Sequence, residues 1–100
     1  MTVLQLNGAA MRSLADLHEQ VARHPETPGF YGRNLDALYD VLLGFYRSPV
    51  RVRWYDAARA RQEMGPDFDR AKRVFDDAAQ ELASFGRDYR FELIEGPFPA

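Results

Sequence analysis

The sequence predicts an α/β fold in which about four helices pack against a three-stranded parallel sheet. Three short segments carry the alternation of apolar and polar residues that is typical of strands, and segments with helical spacing of apolar residues separate them. The resulting element order is βααβααβ, and helices between strands favour parallel pairing with right-handed crossovers. One hundred residues suit one domain, so we expect a single domain over residues 1–100.

The first strand and the first helix are the opening elements of this order. Residues 3–6 favour a strand, and the following Asn7-Gly8 is a turn signal. Ser13 is a typical helix-start residue, and Pro25 ends the helical pattern. The inward face of this helix is predicted to consist of Leu14, Leu17, His18 and Val21.

A second helix follows a loop at residues 25–32. Two prolines and two glycines mark this segment as a loop, and its two aromatic residues, Phe30 and Tyr31, are difficult to explain as core residues together. Asn34 is a good N-cap, and Gly44 ends the helix. The apolar stripe between them consists of Leu35, Leu38, Tyr39 and Leu42.

The remaining elements follow from the same two periodicities. Residues 50–54 alternate cleanly, which predicts a strand with one wet face. Residues 56–64 form a short helix, and residues 67–84 form a long amphipathic one. Residues 89–93 alternate again and give the third strand.

Composition excludes several classes of protein. The chain has no cysteine, which excludes disulfide scaffolds, thiolate metal sites and cysteine nucleophiles. Its two histidines, His18 and His24, lie apart, and no serine, histidine and acid form a recognisable triad. We therefore expect no enzyme, no metal site and no cofactor. No apolar run approaches the roughly 20 residues of a membrane helix and no export signal is visible, so we expect a cytoplasmic protein without membrane contact.

Two aspartates on helix two are candidate functional groups. Asp36 and Asp40 are four residues apart, which places their Cβ atoms about 5–6 Å from each other on one outer flank of the helix. The helix dipole explains an acid in the first turn, such as Asp36, but it does not explain Asp40. The alternative to a functional role is that these aspartates are ordinary solvated charges on an outer face of the helix. A general acid–base pair is disfavoured because it needs a cleft and opposed environments.

A second functional interpretation comes from a basic segment between residues 46 and 61. Cationic side chains interleaved with aromatic rings are typical of surfaces that contact phosphates and stack bases. A formal net charge of −2 argues against nucleic-acid binding, and strand alternation already places some of these arginines in solvent. The arginine-rich patch of this alternative consists of Tyr46, Arg47, Arg51, Arg53, Tyr55, Arg59 and Arg61.

The segment 30–40, Phe-Tyr-Gly-Arg-Asn-Leu-Asp-Ala-Leu-Tyr-Asp, followed by Gly44-Phe45, resembles the signature of the barstar family, the intracellular inhibitors of barnase-type ribonucleases. The resemblance extends to Asn7-Gly8, to helix one, to Pro49 and to the element order, so it covers nearly the whole chain. It implies the same three-stranded parallel fold and a cis peptide bond before Pro49.

This resemblance also implies a function, namely inhibition of a basic, barnase-like bacterial ribonuclease in a 1:1 complex. In the family, helix two and the loop before it enter the enzyme's cleft, and the second acid of the Asn-Leu-Asp-x-x-x-Asp motif takes a phosphate position. Here that acid is Asp40. The chain would then be a cytoplasmic immunity protein of toxin–antitoxin type, monomeric when free, that does not bind nucleic acid directly. The implied nuclease-binding residues are Phe30, Arg33, Asn34, Asp36, Tyr39, Asp40, Gly44, Phe45 and Asp77.

The contact from the last helix has two possible assignments. Alignment on Phe75 gives Asp77, whereas counting back from Gly86 gives Glu81 one turn later; we prefer Asp77. Arg33 replaces an acid of the family signature, and the chain is nearly neutral, so we expect weak long-range attraction to a basic enzyme. The identity of the nuclease stays open, as does the choice between self-protection and defence against a rival's toxin.

Overall fold

A computed structural model describes residues 1–99, and it confirms the predicted three-stranded parallel sheet with four α-helices. The strands pair in sequence order, so the second strand is central. A 3-10 turn at Gly8–Ala10 follows the first strand. The elements in chain order are β1 (Thr2–Asn7), α1 (Leu14–Ala22), α2 (Leu35–Gly44), β2 (Val50–Tyr55), α3 (Ala57–Met64), α4 (Pro66–Ser84) and β3 (Tyr89–Ile94).

The strand register separates an inner and an outer face of the sheet. Leu4 of β1 pairs with Val52 of β2, which pairs with Phe91 of β3, and these side chains belong to the core or pack against it. The alternate positions, such as Arg53 and Glu92, remain partly or fully exposed. This pattern confirms the wet face that the alternation in the second strand predicts.

An aromatic cluster attaches α4 to the sheet. Trp54 of β2 is fully buried, and its ring centroid lies 4.6 Å from that of Phe68 and 5.8 Å from that of Phe75. Phe75 in turn stacks on Phe91 of β3 at 4.8 Å. Aromatic pairs contribute about 0.5–1.5 kcal/mol each beyond the area that they bury. The cluster therefore fixes α4 on β2 and β3, and α2 packs against α4.

Hydrogen bonds at the start of β1 hold the connections on either side of α2. The single hydroxyl hydrogen of Thr2 is shared between the carboxylate of Glu26, 2.9 Å from Oγ1, and the carbonyl of Arg47, 2.8 Å from Oγ1. The amide of Arg47 also donates to Glu26, at 3.0 Å. The Ser48–Pro49 peptide bond is cis, as the resemblance implies. No helix within residues 1–99 is both long and apolar enough to cross a membrane.

Gly8 gives a test of this packing because it lies directly against the end of β2. A Cβ on Gly8 would lie 2.4 Å from the carbonyl oxygen of Tyr55 and 2.5 Å from that of Asp56. Both are backbone atoms and cannot move aside alone, so we expect Gly8→Ala to lower the free energy of unfolding by about 1–3 kcal/mol. Urea unfolding, followed by the fluorescence of the single tryptophan, measures this loss.

The matched control is Gly29→Ala, because a Cβ there would meet no heavy atom within 4 Å. We expect its stability to stay within about 0.5 kcal/mol of the parent. Equal unfolding midpoints for both variants and the parent would contradict the close packing at Gly8.

Candidate functional site

Buried side chains hold the loop before α2 in place. The Oγ1 of Thr27 donates to the carbonyl of Val21 at 2.7 Å, and the hydroxyl of Tyr31 lies 2.6 Å from the Nδ1 of His18. The neighbouring Phe30 is 76% exposed. Of the two aromatic residues in this loop, Tyr31 therefore belongs to the core and Phe30 to the surface.

Asn34 fixes the start of α2. Its Oδ1 accepts a hydrogen bond from the amide of Ala37 at 2.8 Å, which confirms the predicted N-cap. The preceding residue, Arg33, has a φ of 53°, a left-handed conformation that non-glycine residues adopt rarely. The position and direction of the helix are therefore set by the loop before it.

The two sides of α2 differ in burial. Leu38, Val41 and Leu42 are buried in the core. Residues spaced by four lie above one another on a helix, so positions on the other side form a row. The exposed row consists of Asp36, Asp40 and Gly44.

The carboxylates of Asp36 and Asp40 have no internal partner. Neither of them forms a hydrogen bond or an ion pair with another residue in the range 1–99, where all five ion pairs use other carboxylates. Both side chains are exposed. Their negative charge is therefore available to a partner molecule.

A second acidic row lies on α4, which packs beside α2. Asp77 and Glu81 are exposed and four residues apart. Tyr39 is close to both rows: its pKa is raised by partial burial and then by the carboxylates of Glu81, Asp77 and Asp40. Both alternatives for the contact from the last helix therefore lie on one surface. We call this surface the acidic face, and it consists of Asp36, Asp40, Asp77 and Glu81.

An aromatic hollow adjoins Asp40. The rings of Phe30 and Phe45 meet edge to face, with centroids 5.7 Å apart. They wall a hollow of about 170 Å³ that Asp40 and the backbone of Gly32 also line. An apolar ring beside a carboxylate suits a planar group of a partner, either an aromatic ring or a guanidinium.

Two arginines border the acidic face near Asp36. Arg33 lines a hollow on one side of Asp36 and forms an ion pair with a glutamate of α1. Arg73 lines a groove on the other side, together with Asp77. Because these positive charges offset part of the local negative potential, we expect the most negative region to lie around Asp40.

The chemistry available to the acidic face is the binding of cations and hydrogen-bond donors. A carboxylate accepts charge-assisted hydrogen bonds, which can be bidentate when an arginine donates them. Among residues 1–99, no group of three or more histidine and acidic side chains is arranged to hold a metal ion.

The arginine-rich patch does not form one free surface. Tyr46 is buried, and its hydroxyl lies 2.7 Å from the Oγ1 of Thr27, so the prediction that its ring is available for stacking is wrong. Arg51 forms a bidentate pair with Asp88, at 3.0 and 3.1 Å. Arg61 lies 4.5 Å from the centroid of the Phe68 ring. Part of this patch is therefore already engaged in contacts with other residues of the chain.

Comparison with protein families matches residues 1–94 to the family described as Barstar (barnase inhibitor). The chain belongs to the barstar family. One curated relative, named "Putative ribonuclease inhibitor YrdF" and found in Bacillus subtilis (strain 168), is 28% identical over 82 residues, which are 82% of this chain and 90% of the relative. The family match includes every strand and α-helix within residues 1–99.

The residues that the barstar resemblance predicts for nuclease binding come from three adjacent parts of the molecule. Seven are exposed on α2 or on the segments that flank it, Tyr39 is half-buried on α2, and Asp77 is exposed on α4. The role of these residues in nuclease binding stays a prediction. The seven exposed residues are Phe30, Arg33, Asn34, Asp36, Asp40, Gly44 and Phe45.

Sequence reasoning missed two features of this region. The contact of His18 with Tyr31 leaves no local signal, because the residues are 13 positions apart and belong to different elements. The second feature is the exposed Phe85 at the end of α4, and the sequence does indicate its position. Asp77, Glu81 and Phe85 are spaced by four, so they share a face of the helix.

Burial of His18 predicts how stability depends on pH. Burial, followed by the charge of Arg33, lowers the pKa of His18 below its ordinary value of 6.5. The unfolded chain then takes up a proton at a higher pH than the folded chain. The stability that comes from the neutral form of His18 is therefore fully present above about pH 6.5 and is lost as the pH drops through the lowered pKa of the folded state. We expect a lower urea midpoint at pH 5.5 than at pH 7.5.

His18→Gln isolates this contribution, since glutamine does not titrate and can still meet the hydroxyl of Tyr31. We expect the variant to lose most of the difference between the two pH values. A His18→Gln protein with the parent's full pH dependence would contradict the assignment.

Proposed function

We propose that this chain inhibits a basic, barnase-like bacterial ribonuclease by placing its acidic face in the cleft that holds RNA phosphates. One observation carries the proposal: Asp36 and Asp40 are exposed and have no internal partner, on a helix whose start and inner side are fixed. Membership of the barstar family and the name of the Bacillus relative support a ribonuclease-inhibitor role.

The chemistry of such a cleft explains why carboxylates fit it. An enzyme that binds RNA phosphates offers arginine and lysine donors, and charge-assisted bonds from these donors to carboxylate oxygens are short and strong. A carboxylate on Asp40 presents two oxygens at a phosphate position but no phosphodiester bond. The cleft is therefore filled by a group that the enzyme cannot cleave.

Preorganisation of α2 lowers the cost of this binding. The cap by Asn34 and the buried residues Leu38 and Leu42 hold the helix in place before the partner arrives. Little conformational entropy is then lost on association. Gly44 continues the acidic row without a side chain, and a Cβ there would meet no heavy atom within 4 Å. The partner's surface can therefore approach the backbone closely at this end.

Short-range contacts carry most of the affinity in this mechanism. The net charge is only −2, and Arg33 and Arg73 lie beside Asp36, so long-range attraction to a basic enzyme is modest. Asp40 lies between the aromatic hollow and the α4 carboxylates, which makes it the central anchor. Central, desolvated anchors account for most of the binding energy in protein interfaces.

The proposal includes the biological setting that the family resemblance implies. The chain acts as a monomeric, cytoplasmic immunity protein that occupies its ribonuclease one to one, burying on the order of 800 Å² on each partner. It acts by occupancy and catalyses no reaction.

Asp40→Ala tests the proposed anchor. We expect the dissociation constant to rise at least about 30-fold, which corresponds to about 2 kcal/mol, because the cationic donors in the cleft lose their partner. Titration calorimetry and inhibition of RNA hydrolysis measure the effect. The probes are barnase and, where a gene adjacent to that of this chain encodes a small ribonuclease, that enzyme.

Asp76→Ala is the matched control, because it removes the same charge from α4 at a carboxylate that pairs with Lys72. We expect it to change the dissociation constant less than about twofold. An Asp40→Ala protein that binds as tightly as the parent, or a parent that inhibits neither enzyme, contradicts the proposal.

A gel shift with RNA separates the proposal from nucleic-acid binding by the arginine-rich patch. We expect no retention of RNA at about 150 mM salt, because three members of the patch already contact other residues of the chain and the net charge is negative. A shift that weakens steeply with salt and disappears in Arg53→Gln/Arg59→Gln, but not in Asp40→Ala, would favour the rival function.

A further inference from the structure

Backbone hydrogen bonds close the C-terminal end of α4. The amide of Gly86 donates to the carbonyl of Ala83 at 3.0 Å, and the amide of Arg87 donates to the carbonyl of Leu82 at 2.9 Å. Gly86 has a φ of 71°, so these bonds form the double closure known as the Schellman motif. These bonds therefore hold the backbone of the last residues of α4, and that of Phe85, in one conformation.

Phe85 is nevertheless 69% exposed. It lines an open hollow of about 310 Å³ together with Leu43 from the end of α2, Leu82 and Arg87. Arg87 also donates a hydrogen bond from its guanidinium to the carbonyl of Leu43 at 3.2 Å, which joins the two helix ends. We call this hollow the terminal groove, and its apolar lining residues are Leu43, Leu82 and Phe85.

The terminal groove continues the acidic face. Phe85 lies one helical turn beyond Glu81, which lies one turn beyond Asp77, so the three exposed residues form a row along α4. On the other side, a hollow lined by Gly44, Phe45 and Arg87 connects the groove to the aromatic hollow. The proposed nuclease-binding surface therefore reaches the groove along both helices.

We propose that the terminal groove is the apolar edge of that same interface and receives an apolar side chain from a surface loop of the ribonuclease, at the rim of its cleft. This inference rests on the proposed function, and it adds a chemical requirement for the partner. The cognate enzyme combines a basic cleft with an apolar group beside it.

Physical reasoning supports this occupant. Charges at the rim of an interface mainly set its association rate, whereas desolvated anchors slow dissociation, and buried aromatic and aliphatic side chains act in this way as well as buried charge pairs. The acidic face has an aromatic pair next to Asp40, and the terminal groove places a second apolar group beyond Glu81. A partner that covers the acidic face removes both apolar sites from water.

The other exposed phenylalanines have contacts that Phe85 lacks. Phe30 and Phe45 meet each other, and Phe98 packs against Tyr55 with ring centroids 5.8 Å apart. No aromatic pair involves Phe85 within residues 1–99. The Phe85 ring is exposed beside a groove on a fixed backbone, so it offers apolar surface that a partner can bury.

Phe85→Ala tests the inference in surface plasmon resonance against the ribonuclease that the parent inhibits. We expect the dissociation rate to rise about tenfold and the association rate to stay within about twofold of the parent's value. The rise should persist at high salt, because it comes from apolar burial. Phe85→Tyr keeps the ring and should dissociate nearly as slowly as the parent.

Phe98→Ala is the control, since it removes the same side chain at a ring that packs on Tyr55 and lines none of the hollows described around the acidic face. Urea unfolding of each variant shows that the fold is retained. A Phe85→Ala protein with the parent's dissociation rate overturns the inference while leaving the proposed function intact, provided that Asp40→Ala still weakens binding. If neither variant binds differently from the parent, the proposed function fails as well.

Light scattering of the free protein tests the competing occupant, a second copy of this chain. We expect a monomer for the parent and for Phe85→Ala. A parent dimer that dissociates on Phe85→Ala assigns the groove to self-association and overturns the inference.

Discussion

Burial of one side of α2 is the constraint on which the rest of this structure depends. Leu38, Val41 and Leu42 lie in the core, and the 3.6-residue period of the helix then forces Asp36 and Asp40 into solvent. Like charges one turn apart weaken a helix slightly, so the arrangement costs stability. The cap by Asn34 and the packing on α4 offset that cost. The same packing that stabilises the fold thus displays the charges.

The aromatic cluster around Trp54 extends this constraint to the second helix of the site. Because Phe68 and Phe75 fix α4 on the sheet, its outer side is presented next to α2. Carboxylates from two helices then lie near Tyr39, although Asp40 and Asp77 are 37 positions apart along the chain. The acidic face is therefore a property of the tertiary packing and not of one motif.

Sequence reasoning could predict the features that depend on local periodicity. The strand and helix order, the N-cap at Asn34 and the outward position of Asp40 all follow from spacing and turn chemistry. Features that depend on contacts between residues distant in the sequence could not be predicted in this way. The burial of Tyr46 depends on Thr27, and the terminal groove needs Leu43 of α2 beside α4. The family motif predicted the candidate binding residues, which spacing alone could not select from other exposed charges.

Competition with a substrate analogue tests the central claim most directly. The chain is titrated into the ribonuclease with and without a saturating, non-hydrolysable oligonucleotide. If the acidic face occupies the phosphate sites, the apparent dissociation constant rises in proportion to the oligonucleotide concentration once the cleft is saturated, and no ternary complex forms. An unchanged dissociation constant, with all three components in one complex, would place the inhibitor outside the cleft and contradict the account.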